Sequence, residues 1–150
     1  MNTPVTFYKN KPQFKRQCGD CDLCCRWLIN NVNGHLTVPG SPCFYLGKNC
    51  TIYEDRPQVC QDYFCAYIQE LTPEWMKPSL SGILVSPERW GPNKEFQMLR
   101  AIECGKKLTV EILSWLIEFS QNNNTGLIYQ LDGHNHYYGS PEFLRTFKNV

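Results

Sequence analysis

At 150 residues the chain suffices for one domain, or for one compact domain carrying a small stapled subdomain, and it excludes a second large domain. Fifteen Lys and Arg against 14 Asp and Glu leave a formal charge of +1, which gives no electrostatic reason to expect nucleic acid or an acidic membrane face as a partner. No apolar run has the length of a membrane span or of a secretory core, so the expected setting is cytoplasmic, or within an assembly formed there, and no membrane is expected.

Residues 1–17 are polar and basic, with Pro4 and Pro12, and suit an extended arm. Lys9, Lys11, Lys15 and Arg16 on it either offset the charge of a thiolate site or form a solvated face. Cys18 to Cys25 is too short and thiol-rich for a helix, and Gly19 favours a tight loop. Trp27–Ile29 reads as a short strand and Asn30–Gly34 as a turn. Pro42–Leu46 and Cys50–Tyr53 read as a hairpin about Gly47–Asn49, with Cys43 and Cys50 near its open end. Asp55 as N-cap and Pro57 as an early helical residue predict a helix from about Arg56 to about Glu70, on which Cys60 and Cys65 point to diverging sides.

From Leu71 the thiols nearly stop. Thr72–Met76 predicts one helical turn closed by Pro78. Strands are expected over Ser81–Val85 and Glu95–Glu103, with a loop over Pro87–Asn93 between them. Thr109–Ser120 is the clearest helix: Val110, Leu113, Leu116 and Ile117 recur at helical spacing, and Ile112, Trp115 and Phe119 widen the apolar face enough to demand burial on more than one side. Gln121–Gly126 reads as a loop, Leu127–Leu131 as a strand, Asp132-Gly133 as a hairpin turn and His136–Tyr138 as its partner strand. Ser140, Pro141 and Glu142 open a terminal helix. The expected fold class is α+β: a small irregular metal-stapled Cys-rich segment, residues 1–70, packed against a small α+β unit with short antiparallel strands, residues 71–150.

Eight of the nine cysteines, Cys18, Cys21, Cys24, Cys25, Cys43, Cys50, Cys60 and Cys65, fall in less than a third of the chain. Thiols this dense are oxidised to one another or bound to a soft ion, and without an export signal the pattern points to metal rather than to a disulfide framework. Cys18-x2-Cys21-x2-Cys24 is the spacing of the first three ligands in bacterial ferredoxin-type clusters, with a 4Fe-4S cluster then drawing its fourth ligand from Cys43, Cys50, Cys60 or Cys65. Zinc fits as well, since Cys-x2-Cys loops make half of a tetrahedral site and eight thiolates close two sites or one binuclear centre. Adjacent Cys24 and Cys25 cannot easily share one tetrahedral metal, so either two metals are present or one of the pair is structural. Sequence leaves zinc against iron-sulfur open.

Cys18-x2-Cys21-x2-Cys24-Cys25, then Pro42-Cys43-Phe44-Tyr45-Leu46, then Asn49-Cys50-Thr51-Ile52-Tyr53-Glu54-Asp55-Arg56-Pro57-Gln58-Val59-Cys60 resembles the YkgJ-type cysteine-cluster family, described as zinc- or iron-chelating domains. Cys-x-Ile-Tyr-x-x-Arg-Pro-x-x-Cys is the most specific part of the match; the family often places three residues between its first two cysteines, where this chain has two. The resemblance spans Cys18 to about Cys65 and implies metal chelation with no settled reaction. Arg56 either donates hydrogen bonds to the thiolates as a group behind the ligands or pairs with Glu54.

No phosphate-binding loop, Gly-x-Gly-x-x-Gly, His-Glu-x-x-His or Gly-x-Ser-x-Gly motif occurs, so no catalytic residue is assigned and enzymatic activity is not expected. Cys18-Gly19-Asp20-Cys21 as a redox dithiol lacks the preceding strand. His134 and His136 would share a strand face and either hold a metal or face solvent, and His35 is a further possible ligand. Cys104, alone before Gly105, is expected to be packed or idle. Two classes of role follow: a functional metal, used in electron transfer, sensing or metal handling, or a structural and interaction subunit of a larger assembly, viral ones included, in which metal staples the fold and protein partners supply the role.

Overall fold

A computed structural model describes residues 30–32, 35–37 and 65–148. They fall into two compact units divided between Ser81 and Gly82.

In the first unit, β1 (Asn30–Val32) pairs antiparallel with β2 (His35–Thr37), with Val32 opposite His35. The expected turn over Asn30–Gly34 is therefore too long, since Asn30–Val32 is strand. The strands expected over Trp27–Ile29, Pro42–Leu46 and Cys50–Tyr53 lie outside the described residues.

Of the helix expected from about Arg56 to about Glu70, the part before Cys65 lies outside the described residues, and Ala66–Glu70 is a hydrogen-bonded turn. The Leu71 N–H donates to the Ala66 carbonyl at 3.0 Å and the Glu70 N–H to the Tyr67 carbonyl at 3.0 Å, with Glu70 in the left-handed region at φ 59°. This pair of bonds has the pattern of a Schellman turn and satisfies the Ala66 and Tyr67 carbonyls. The expected helical turn follows as a 3-10 turn at Glu74–Met76, and Pro78 opens α1 (Pro78–Ser81) rather than only closing that turn, as suits a residue lacking the N–H that a first turn does not use.

The second unit is a four-stranded sheet in the order β3 (Ile83–Trp90), β4 (Phe96–Glu103), β5 (Gly126–Leu131), β6 (His134–Tyr138). Two hairpins flank a central parallel pair, β4 beside β5, joined through α2 (Val110–Asn123). The sheet is thus mixed, not wholly antiparallel as expected, because the intervening helix carries the chain back along the sheet before β5 begins. The expected loop over Pro87–Asn93 is also corrected. β3 runs on to Trp90 through Pro87, which β3 accommodates as an edge strand of this sheet.

Asp132 (φ 52°) and Gly133 (φ 81°) both take positive φ, the type I′ geometry whose twist matches the strands they join. The Thr109 hydroxyl accepts from the Ile112 N–H at 3.3 Å and caps α2. That helix runs one turn beyond Ser120, since Gln121 to Asn123 contain no breaker, and stops where Asn124 turns left-handed at φ 48°. Ser140 Oγ accepts from the Phe143 N–H at 3.1 Å and caps α3 (Pro141–Lys148).

Strand alternation and register divide the core between the two faces. One face carries Trp90, Phe96, Met98, Gly126, Ile128 and Tyr137, and buried Phe143 of α3 packs there on Met98 and Ile128. The other carries Leu99, Ala101, Leu127 and Tyr138; α2 lies on that side, its Gln121 amide donating to the Tyr138 hydroxyl at 2.7 Å. Ile112, Leu116 and Phe119 of α2 are buried, while Leu113, Trp115 and Ile117 are half-buried and Val110 is exposed, so burial of α2 is one-sided where more than one side was expected.

Candidate metal centre

Of the eight cysteines proposed as ligands, the structure describes Cys65. Cys18, Cys21, Cys24, Cys25, Cys43, Cys50 and Cys60, with Arg56, lie outside the described residues.

Cys65 is half-buried and opens the Schellman turn, its carbonyl accepting from the Gln69 N–H at 3.1 Å. The residues after it, Ala66, Tyr67, Ile68 and Gln69, are all buried. Tyr67 anchors this stretch twice: its hydroxyl donates to Glu74 Oε2 at 3.0 Å, and the Lys77 ammonium lies 6.0 Å from its ring centroid. Neither partner was identified from sequence; the Tyr-x6-Glu spacing means something only once the chain reverses at Glu70. Half-buried Cys65 is thus followed by a buried turn that Tyr67 ties to the next one.

Among the described residues the other candidate ligands are not gathered into a group. His134 and His136 are exposed, and His136 stacks on Tyr129 at 5.4 Å between ring centroids, so it faces an aromatic ring rather than a further donor. His35 is on β2. Cys104 is buried at the end of β4, 6% exposed, with its N–H donating to the Gly82 carbonyl at 2.7 Å. Among the described residues no three His, Cys, Asp or Glu side chains gather as a metal site.

At the end of β4 the charged groups organise loops. The Glu103 carboxylate accepts from the Leu108 N–H and the Gly133 N–H, each at 2.9 Å, and Lys107 Nζ meets Asp132 Oδ1 at 2.7 Å. Their hydrogen bond and mutual attraction raise the Lys107 pKa above 10.5 and hold the Asp132 carboxyl below 3.8. This ties the loop before α2 to the β5–β6 turn and leaves no donor set for a metal.

The second unit also holds an open cleft of about 360 Å³ between the end of α2 and the start of α3, lined among others by Trp90, Phe96, Gln121, Asn124, Tyr138 and Glu142. It has no signature in the sequence, since its walls come from six separate elements.

No family model, curated protein or solved structure matches the chain. The functional reading therefore rests on the residues themselves.

Proposed function

We propose that this chain is a metal-binding protein whose ligands are drawn from Cys18, Cys21, Cys24, Cys25, Cys43, Cys50, Cys60 and Cys65, holding an iron-sulfur cluster of the 4Fe-4S type or Zn2+. The observation that carries the reading is the concentration of eight thiols in one stretch, arranged as Cys-x2-Cys-x2-Cys with a Cys-x-Ile-Tyr-x-x-Arg-Pro-x-x-Cys segment behind it. Thiolates are soft ligands that select iron-sulfur clusters and zinc over hard cations. Cys65 supports the donor set as far as it is described, being half-buried and followed by a buried turn.

A bound cluster would supply one-electron transfer or sensing, and bound zinc would supply folding free energy or a store for delivery. The chain's own contribution is to present deprotonated thiols on rigid backbone and, through Arg56, to set hydrogen bonding to sulfur. Resemblance to the cysteine-cluster family supports chelation and leaves the metal between iron and zinc.

Elemental analysis with a visible spectrum on anaerobically purified protein tests this reading. Brown protein with iron and acid-labile sulfide assigns a cluster, and colourless protein with one or two zinc ions per chain assigns zinc. Protein that carries neither and takes up neither after reduction overturns it.

A further inference from the structure

We propose that β6 pairs antiparallel with β6 of a second copy of this chain, extending the four-stranded sheet across a two-fold axis. The proposal is independent of the metal.

The two edges of the sheet are built differently. β3 carries Pro87, which has no N–H to offer, followed by Glu88 and Arg89. Proline and charge are the devices by which natural sheets blunt an edge. β6, His134-Asn135-His136-Tyr137-Tyr138, has neither proline, lysine nor any residue of fixed charge, and its first three residues are exposed. Among the described residues no strand lies beyond it.

Register identifies which of its backbone groups face outward. The two-residue turn at Asp132-Gly133 makes Leu131 and His134 a hydrogen-bonded pair, so by alternation Tyr129 with His136 and Leu127 with Tyr138 are hydrogen-bonded pairs too. Asn135 and Tyr137, opposite Gln130 and Ile128, are then the residues whose N–H and C=O point away from β5.

This spacing is self-complementary. With His136 on the two-fold axis, Asn135 of each copy stands opposite Tyr137 of the other. Each such pair exchanges both N–H···O bonds, about four in all. His136 then faces its own copy at a close, non-hydrogen-bonded position, and Tyr138 faces His134, an aromatic cross-strand pair. A closed two-fold arrangement uses the same patch on both subunits, as this register does. A heterologous peptide would gain the same backbone bonds without this side-chain match. Five residues a side make a small interface, so association should be weak and concentration-dependent.

The test combines sedimentation velocity on the full chain, up to about 1 mM, with hydrogen exchange read at single amides. The expected result is a monomer–dimer equilibrium in which the Asn135 and Tyr137 amides slow as concentration rises. Asn135→Pro removes an outward N–H without touching the β5–β6 bonds and should abolish dimerisation. His136→Lys, which sets two like charges face to face, should weaken it at least tenfold while the amides bonded to β5 stay protected. A chain that remains monomeric throughout overturns the proposal, as does association in which the Asn135 and Tyr137 amides exchange at a rate independent of concentration.

Discussion

The ring of Phe143 lies directly over Gly126, so close that a Cβ at that position would fall inside the ring's van der Waals envelope, with Cδ2 and Cε2 the first atoms met. Gly139, which the register places beside Gly126, forms the rest of the floor, and a Cβ there would stand 2.7 Å from Cδ1 of the same ring. Gly126 at the start of β5 and Gly139 just past the end of β6 thus make the seat for the largest fully buried side chain of the C-terminal unit, Phe143 at 1% exposure.

Gly126→Ala should therefore destabilise the protein by about 1–3 kcal/mol through overpacking, offset by about 0.4–1 kcal/mol from the lower unfolded-state entropy of alanine, since Gly126 is not at positive φ. Phe143→Ala, which empties the seat, should cost about 3–5 kcal/mol. Denaturant unfolding of the full chain, followed by tryptophan fluorescence, measures both; Trp90 lies 5.6 Å from Phe143 between ring centroids and reports on the site.

Glu103 is a second point at which one side chain fixes two loops. Glu103→Ala removes the acceptor for both the Leu108 and the Gly133 N–H groups, and each lost bond costs roughly 0.5–1.5 kcal/mol. The Gly133 amide is exposed, so water replaces part of its loss. Glu103→Gln retains one acceptor oxygen and should recover about half of the effect. Amide exchange at Leu108 and Gly133 separates the two contributions: both should accelerate in the alanine variant and one in the glutamine variant.

The Lys107–Asp132 pair predicts a pH response with a defined sign. Asp132 has its folded pKa below 3.8, so the stability it adds is present above that value and lost as pH falls through the lowered pKa. Lys107 has its folded pKa above 10.5, so its contribution is present below that value and lost as pH rises through the raised pKa. Between those limits the pair is intact, and because both side chains are exposed its effect is small and falls with added salt. In an NMR titration the Asp132 carboxyl should titrate below 3.8 in the native chain and move up toward that value in Lys107→Ala.

Local chemistry was readable wherever one or two residues decide the conformation. Asp132-Gly133 announced its turn, and Thr109 and Ser140 their caps. Pro87 misled because proline is a breaker in a central strand and harmless on an edge, and edge position is a property of the sheet, not of the segment. Parallel pairing of β4 with β5 was invisible for the same reason, as were the seat of Phe143 and the cleft, all of which join residues distant in the chain. Of the candidate site, the proposed ligands come from residue types and spacing alone, and the structure describes only Cys65 among them. The Tyr67–Glu74 bond that follows it in the chain has no signature in the sequence.

The two described cysteines should behave oppositely. Cys65→Ser should lower metal content or, in a cluster, shift its absorption, because a harder oxygen replaces a thiolate. Cys104→Ser, in the buried end of β4, should leave metal content unchanged and cost stability alone. Metal analysis and a urea melt on each variant give the comparison.

The central claim is most directly tested by counting shielded thiols. Anaerobically purified chain is treated with a thiol-alkylating reagent under native conditions and again after acid and denaturant release any metal, with native mass spectrometry alongside. The account predicts a metal-bearing mass and at least about four cysteines that react only after release, all of them among Cys18 to Cys65. A chain that flies at its bare polypeptide mass, with cysteines from that stretch alkylating as fast before release as after it, would contradict the account.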